Sequence, residues 1–310
     1  MSSLIEQASR RLEQLRQAGV AVPDVVSPNP ASASASASAP AQVAAASVPT
    51  SPAPPARPAV VSRQVHLDLD ALSAAGFVSP NAPRSQIADQ YRVIKRPLIA
   101  NAMGKGAVAV TNGNLIMVTS AVAGEGKSFN ALNLAMSIAT ELNNTVMLVD
   151  ADVARPSILR MLGLPASRGL LDLLVDDQAD LSQVMLKTNI DKLTLLPSGT
   201  PHPRATELLA SDAMTRLIGD IARRYSDRVI IFDSPPLLLT TESRVLATHM
   251  GQIVIVVHAE KTLRNDVQQA LATIESCPVK MMVLNQAKAG AGEGYGYGGY
   301  GQGYGYGYGS

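Results

Sequence analysis

Residues 121–128, with the sequence AVAGEGKS, have the residue types and spacing of a loop that binds phosphate. Gly124 and Gly126 allow the backbone to curl so that successive N–H groups point at anionic oxygens. Lys127 adds a full positive charge, and the hydroxyl of Ser128 is a ligand for Mg²⁺ in loops of this kind. The pattern predicts a nucleotide-phosphate site, although a chance glycine-rich turn would have the same local sequence.

Two further motifs favour the phosphate loop over a chance turn. Residues 146–152 (VMLVDAD) and 229–236 (VIIFDSPP) each carry an apolar run that ends in aspartate. Ligands of open α/β sheets bind at the carboxyl ends of the strands, so we expect Asp150, Asp152 and Asp233 to lie beside the loop. Carboxylates at such strand ends hold Mg²⁺ and the attacking nucleophile in phosphoryl transfer.

Apolar runs and helical patterns alternate on both sides of these motifs, which predicts the elements that position them. We expect a helix over 86–103, which Pro97 should kink or interrupt. The other predicted elements are strands at 115–120, 145–150, 193–196, 228–233, 252–257 and 279–284, and helices at 127–142, after Pro156, near 170–174, 206–224, near 242–249 and 263–275. This order predicts an α/β fold with a mostly parallel, doubly wound sheet and helices on both faces.

Composition divides the chain into four parts. Residues 1–22 have the pattern of an amphipathic helix, and 23–64 form a Pro/Ala/Ser-rich segment that is predicted to be a disordered linker. The phosphate-binding domain is expected over 65–286. Residues 287–310 form a Gly-rich tail, which by itself could equally be a self-associating low-complexity segment. This tail contains six of the eight tyrosines: Tyr295, Tyr297, Tyr300, Tyr304, Tyr306 and Tyr308.

Charge and cysteine content exclude several classes of function. The formal net charge is +1 and the chain has no long basic run, so we predict no nucleic-acid binding. A single cysteine, Cys277, cannot form an intrachain disulfide and is expected in the core. The sequence shows neither an apolar stretch of about 20 residues nor a signal peptide, which predicts a cytoplasmic protein.

The three motifs together with the tyrosine tail resemble the bacterial tyrosine autokinases (BY-kinases) that accompany exopolysaccharide chain-length determinants. The resemblance extends from about Gln86 to the C-terminus. Two positions depart from the family pattern. Ala121 replaces the first glycine of the loop, and Ala154 stands where the family commonly has arginine, with Arg155 next to it.

The resemblance implies an ATP-dependent protein-tyrosine autokinase of the P-loop class that needs Mg²⁺. Lys127, Asp150 and Asp152 would form the catalytic set, in which Lys127 clamps the β- and γ-phosphates and Asp150 accepts the tyrosine proton. Ser128, Asp152 and Asp233 would hold Mg²⁺ directly or through water. Asn285 would contact the adenine edge, although a turn-forming asparagine is an equal alternative. The expected nucleotide contacts are Ala123, Gly124, Glu125, Gly126, Lys127, Ser128, Phe129 and Asn285.

The helix over 86–103 carries charges at the spacing of a family interface motif. Asp89, Arg92 and Lys95 match an acidic-x-x-Arg-x-x-basic pattern, which implies a homo-oligomer, in the family a ring. Without the resemblance, a solvated helix face would explain them. The resemblance also implies a transmembrane chain-length determinant as activator and a tyrosine phosphatase. The protein would then lie at the inner face of the plasma membrane.

A different class of function remains as an alternative, a partition or positioning ATPase that acts as a switch. Those ATPases carry an additional lysine early in the loop, and the equivalent position here is Val122. The missing lysine and the tyrosine tail favour the kinase. An inactive structural adaptor is disfavoured because the lysine and all three aspartates are present: Lys127, Asp150, Asp152 and Asp233.

Overall fold

The computed structural model of the chain describes residues 63–176 and 178–288. The middle layer of this part is an eight-stranded sheet with the order β1-β4-β5-β3-β6-β2-β7-β8. All neighbouring strands are parallel except β4 and β5. The strands are β1 (Arg63–Gln64), β2 (Leu115–Ser120), β3 (Thr145–Asp150), β4 (Leu186–Lys187), β5 (Leu193–Leu196), β6 (Arg228–Asp233), β7 (Gln252–His258) and β8 (Val279–Asn285). The predicted fold class is therefore confirmed.

The helices of the described residues connect these strands and cover the sheet. They are α1 (Leu69–Ala74), α2 (Gln86–Ala102), α3 (Lys127–Ala139), α4 (Ile158–Met161), α5 (Leu170–Val175), α6 (Leu181–Val184), α7 (Ala205–Leu209), α8 (Asp212–Arg224), α9 (Glu242–Ala247) and α10 (Arg264–Ala272). The single helix predicted over 206–224 is in fact α7 and α8. The division occurs because the Ser211 hydroxyl accepts a hydrogen bond from the Met214 N–H at 3.3 Å and so caps a new helix.

Helix α2 passes through Pro97 without a break, so of the two expected effects, a kink or an interruption, the interruption does not occur. Proline removes the hydrogen bond to the carbonyl of Val93, four residues earlier. Both residues are on the exposed side of the helix, where water can hydrogen-bond to that carbonyl. The opposite side of α2 buries Tyr91 and Leu98, and this packing holds the helix together.

The core lies on both faces of the sheet because successive strand residues point in opposite directions. Leu115 and Met117 of β2 belong to the cluster that packs against α5, α8 and α9, whereas Ile116 and Val118 belong to the cluster that packs against α2 and α3. Helix α3 is covered almost all round, as expected for the helix that follows the central strand. Cys277 is buried, as predicted.

Parallel pairing places the sequence motifs at one edge of the sheet. β6 lies between β2 and β3, with Asp233 opposite Val118 on one side and opposite Asp150 on the other. The carboxyl ends of β2, β3 and β6 therefore meet where α3 begins. This edge contains the phosphate loop and both aspartate motifs.

Several predictions concern the ends of the chain. Arg63 and Gln64, which the sequence analysis assigned to the linker, pair with Leu186 and Lys187 of β4. The N-terminal helix, the linker through residue 62 and the tail from residue 289 lie outside the described residues. Within 63–176 and 178–288, no helix combines the length and the apolar character that crossing a membrane requires.

Candidate active site

The loop at residues 121–126 has the backbone of a phosphate-binding turn. Gly124 and Gly126 have φ angles of 84° and 91°, in the left-handed region that favours glycine. Helix α3 begins immediately afterwards, at Lys127. A Cβ atom at Gly126 would lie 2.1 Å from Nδ2 of Asn285, so a side chain there would displace the Asn285 amide. N–H groups of a glycine-rich loop and of the helix start that follows it can together bind an anion.

The side chain of Glu125 points into the protein and anchors this loop by hydrogen bonds. It is 2% exposed, and its Oε2 accepts a hydrogen bond from the Val122 N–H at 2.7 Å. Its Oε1 accepts from the Thr262 hydroxyl and, at 3.4 Å, from the His258 N–H at the end of β7. The sequence analysis assigned Glu125 to nucleotide contact and did not identify this buried anchor. Thr262 lies outside every motif, so no sequence signal identified it.

Lys127 and Asp152 form an ion pair inside the site. Their Nζ and Oδ2 atoms are 2.6 Å apart, and their side chains are 13% and 5% exposed. The other carboxylate oxygen of Asp152 accepts a hydrogen bond from the Arg155 N–H at 3.1 Å. The structure thus brings the phosphate-loop lysine into direct contact with the second aspartate of the Asp-Ala-Asp motif.

Asp150 is buried with one carboxylate oxygen satisfied and one free. Oδ2 accepts hydrogen bonds from the N–H groups of Ser157 and Ile158, both at 3.1 Å. Oδ1 has no partner among the described residues. Burial raises the pKa of Asp150 to about 6, although the two backbone hydrogen bonds oppose this shift.

Asp233 is completely buried, and neither of its carboxylate oxygens has a hydrogen-bond partner among the described residues. Burial raises the pKa of Asp233 to about 7, and the charge of Lys127 opposes the rise. The Ser128 hydroxyl is near enough to lower this pKa as well, but it makes no hydrogen bond of normal geometry with the carboxylate. A buried acceptor without a donor indicates a site built for a cation or a donor ligand.

The Lys127–Asp152 pair lines a cavity of about 500 Å³. Its walls come from the phosphate loop, from the segment after β3 and from the segment after β6: Ala123, Gly124, Lys127, Ser128, Asp152, Ala154, Arg155, Ser157, Pro235, Pro236, Leu239 and Thr240. A second cavity, of about 640 Å³, lies on the other side of the helix start. Tyr91, Phe129, Asn130 and Asn285 line it together with apolar residues of α2 and β8.

The donor set fits Mg²⁺ only together with phosphate. Among the described residues, no group of three or more His, Cys, Asp or Glu side chains is arranged to hold a metal ion. However, Lys127 is the positive charge that acts on Asp150, Asp152 and Asp233, and in the described part of the chain three buried carboxylate oxygens lack partners. A divalent cation would balance this excess negative charge. Phosphate oxygens and water would have to complete its coordination.

Asn285 lies against the phosphate loop, where its Nδ2 donates a hydrogen bond to the Glu125 carbonyl at 2.9 Å. It also lines the second cavity, so contact with a nucleoside there remains compatible with the structure.

Lys95 does not lie on the surface, contrary to its predicted place in the oligomer interface. This residue is only 3% exposed, and its Nζ contacts the Ser137 carbonyl at 2.6 Å and Glu141 Oε1 at 2.7 Å, at the end of α3. Its role is therefore inside the domain. Asp89 and Arg92 do lie on the surface of α2, where they pair with each other.

Comparisons with known proteins identify the family of the chain. A family model described as an AAA domain matches residues 113–286. Tyrosine-protein kinase CpsD of Streptococcus agalactiae is 30% identical over 176 residues, which cover 56% of this chain and 75% of CpsD. The chain belongs to the bacterial tyrosine kinases. Tyrosine-protein kinase YwqD of Bacillus subtilis (strain 168) is 29% identical to this kinase over 205 residues, or 66% of the chain and 82% of YwqD.

A solved structure supports the same family. The kinase domain of the Escherichia coli tyrosine kinase ETK aligns with this kinase at a TM-score of 0.53 and 26% identity, over 60% of this chain and 72% of the ETK domain. Some relatives are much longer. Tyrosine-protein kinase wzc of Salmonella typhi is 27% identical, but the match covers only 25% of its length.

Proposed function

We propose that this kinase uses ATP and Mg²⁺ to phosphorylate tyrosines in the C-terminal tail of a neighbouring copy. The observation that carries the proposal is the Lys127–Asp152 pair, which lies beside the buried carboxylates of Asp150 and Asp233 at one sheet edge. This arrangement provides a cation for phosphates and acceptors for a metal ion and a proton. The Gly/Tyr tail supplies phenols in the same chain.

Each side chain has a proposed role in the transfer. Lys127 and the N–H groups of residues 124–128 bind the β- and γ-phosphates, where charge is spread in the transition state. The phenol oxygen attacks the γ-phosphorus as the bond to the ADP oxygen breaks. Asp150 accepts the phenol proton, because its Oδ1 is free while backbone hydrogen bonds fix Oδ2. Asp150 is thus held in one orientation for this task.

Ser128, Asp152 and Asp233 are proposed to hold Mg²⁺ directly or through water. The ion would neutralise phosphate charge and orient the γ-phosphoryl group. Asp233 suits this role because its two oxygens have no protein donor among the described residues. The Lys127 pairing keeps Asp152 beside the phosphates.

The second cavity is proposed to take the nucleoside of ATP. It begins at Phe129 and Asn130, one helical turn from the phosphate loop, and extends to Asn285. The ring of Phe129 packs against Phe77 with centroids 5.0 Å apart, which gives the cavity a fixed aromatic wall. The amide oxygen of Asn285 could accept from the amino group of adenine, since its nitrogen is already used by the loop.

Transfer between copies is physically possible for a tail of this length. A Gly-rich chain from residue 287 to 310 has a root-mean-square span of roughly 25–30 Å and a contour length of about 80 Å. Either distance crosses an ordinary subunit boundary. The exposed Asp89 and Arg92 pair on α2 is the proposed contact between copies in a ring.

In the cell, we propose that the kinase acts at the inner face of the plasma membrane in exopolysaccharide polymerisation and export. A transmembrane chain-length determinant would be its activator, and a tyrosine phosphatase would reverse the modification. Purified kinase would be assayed with and without membranes from the native host. Equal turnover in both would contradict the membrane activator.

A mixing experiment tests the transfer between copies. One variant, Lys127→Met, keeps the tail but loses the phosphate-binding charge. The other lacks residues 289–310 but keeps the site. We expect no phosphotyrosine on either variant alone, and phosphotyrosine on the Lys127→Met chain when the two are mixed with ATP and Mg²⁺, as mapped by mass spectrometry. Modification of the wild type with a rate per molecule that stays constant across the concentrations over which the copies assemble would contradict transfer between copies.

A further inference from the structure

Two side-chain amides hold consecutive carbonyl groups of the phosphate loop. Asn285 Nδ2 donates to the Glu125 carbonyl and Asn130 Nδ2 donates to the Gly126 carbonyl, each at 2.9 Å. In a trans peptide the carbonyl and the following N–H point in opposite directions. These two bonds therefore turn the N–H groups of Gly126 and Lys127 away from the two amides. The N–H groups then point to the opposite side of the loop, where phosphate would bind.

The amide of Asn130 is itself fixed by a residue of α2. Its Oδ1 accepts a hydrogen bond from the hydroxyl of Tyr91 at 2.8 Å. Tyr91 and Asn130 are 5% and 4% exposed, so water does not compete easily for this bond. Burial also raises the pKa of Tyr91, which keeps the hydroxyl protonated as a donor. The hydroxyl fixes which end of the Asn130 amide points at the loop.

We propose that Tyr91 is a positioning residue for nucleotide binding, which acts through Asn130 on the peptide group between Gly126 and Lys127. Without the phenol hydroxyl, the Asn130 amide could rotate and present its oxygen to the Gly126 carbonyl. The Gly126 carbonyl would then keep only the backbone hydrogen bond from the Asn130 N–H at 2.9 Å, and the Lys127 N–H would be held less firmly in its direction. Tyr91 lies 30 residues before the loop and outside every phosphate-binding motif. The inference rests on the proposed function only in taking ATP as the ligand.

The size of the effect follows from the bond that is lost. A buried hydrogen bond between uncharged groups contributes modestly, so removing the Tyr91 hydroxyl should weaken nucleotide binding by about 3- to 10-fold. Turnover at saturating nucleotide should change little, because the Lys127 ammonium and the aspartates stay in place. A split of this kind, between affinity and turnover, distinguishes positioning of the loop from loss of catalytic groups.

The test compares Tyr91→Phe with Tyr225→Phe. These are the tyrosines outside the tail, and Tyr225 packs against Arg228, with 4.8 Å between the guanidinium carbon and the ring centroid, in the cluster on the other face of the sheet. The dissociation constant of a fluorescent ATP analogue is measured with Mg²⁺, together with the thermal unfolding midpoint. We expect weaker binding by Tyr91→Phe and wild-type binding by Tyr225→Phe. Wild-type affinity of a folded Tyr91→Phe variant would overturn the proposal.

A double-mutant cycle with Asn130→Ala tests whether Tyr91 acts through Asn130. If it does, the double variant binds the analogue no more weakly than Asn130→Ala alone, whereas fully additive losses would overturn the proposal. Asn130→Ala keeps the Tyr91 ring. If Tyr91→Phe does not fold, weaker binding of the analogue by Asn130→Ala supports the proposal, and wild-type binding overturns it. Phosphotyrosine formation by the wild type is measured separately. A wild type that binds the analogue but makes no phosphotyrosine would refute the proposed function and leave this comparison valid.

Discussion

Asp150 and Asp233 are direct partners in the register of β3 and β6, so two buried carboxylates lie side by side at the carboxyl edge of the sheet. Neither has enough donors to satisfy its oxygens among the described residues. Burial raises the pKa values of both, and repulsion adds to the rise, from Asp152 at Asp150 and from Asp150 at Asp233. The pair favours the binding of a cation at this site. It also lowers the free energy of unfolding at neutral pH.

Replacement of Asp233 by asparagine should therefore remove a pH-dependent loss of stability. The pKa of Asp233 rises from an ordinary value of 3.8 to about 7 on folding. The unfolded chain releases this proton first, so the free energy of unfolding falls as pH increases from about 4 to 7. Relative to wild type, Asp233→Asn should gain up to roughly 4 kcal/mol over this range.

Urea unfolding at pH 4.5 and pH 8, without nucleotide or Mg²⁺, checks this prediction. Asp191→Asn, which changes an exposed aspartate, is the matched control and should follow the wild type. If the free energy of unfolding changed with pH to the same extent in wild type and Asp233→Asn, the raised pKa of Asp233 would be contradicted. Asp150 should leave a smaller dependence of the same sign in the variant, since its pKa is raised to about 6.

Lys127→Met should lower autophosphorylation by about 100-fold or more, because it removes a charge aimed at the transferred phosphate. The far-ultraviolet circular dichroism spectrum should not change, since Lys127 makes no core contact that holds α3. The unfolding midpoint should fall, because Asp152 is left buried without its cation. Adding Asp152→Asn should restore stability but not activity.

The control for Lys127→Met is Lys187→Met on β4, an exposed lysine at the far side of the sheet. It should retain both activity and stability. Phosphotyrosine at wild-type rates in the Lys127→Met protein would exclude the loop as the phosphate site.

Glu125→Ala should weaken nucleotide binding by about tenfold, because the Val122 N–H and the Thr262 hydroxyl would lose a buried acceptor. The loop would then no longer be tied to the end of β7. Glu125→Gln keeps one acceptor oxygen and should lose less. Glu260→Ala, which changes an exposed carboxylate in the segment after β7, is the control. Equal affinities for all three variants in a nucleotide titration would show that the anchor has no effect on binding.

Phosphorylation of the tail should dissociate the oligomer. Each phosphate adds about −1.5 to −2 charges, so modification of all six tyrosines adds roughly −9 to −12. Such a tail should be repelled from a site that contains three aspartates. Light scattering would compare unmodified protein, phosphorylated protein and a variant with phenylalanine at all six tail positions, and only the phosphorylated protein should dissociate.

A surface variant separates this effect from loss of the helix contact. Arg92→Ala removes the exposed partner of Asp89 on α2 and should give small species without phosphorylation. Arg216→Ala, on α8, should keep the wild-type mass. Identical masses for unmodified, phosphorylated and six-phenylalanine proteins would refute the mechanism.

Local sequence patterns were sufficient to predict most strands and helices of this domain. Six strands were predicted close to their observed positions. Five of them are buried strands and therefore mainly apolar runs, whereas β8 lies at the edge of the sheet and is only partly buried. The two-residue strands β1 and β4 and the helices α1 and α6 were not predicted, because elements this short have no period. Pro97 does not interrupt α2, because tertiary packing, of which a local rule takes no account, holds the helix together.

The sequence by itself determined the chemistry at the edge of the sheet. Gly124, Gly126 and Lys127 identify a phosphate loop through residue type and spacing, and parallel strands bring Asp150 and Asp233 to it by topology. Tertiary structure alone decided which groups meet: that Lys127 pairs with Asp152, that Glu125 faces inwards, and that Lys95 is internal. The reason is physical. Backbone patterns follow from neighbours in the chain, but the partner of a buried charge depends on residues that only folding brings into contact.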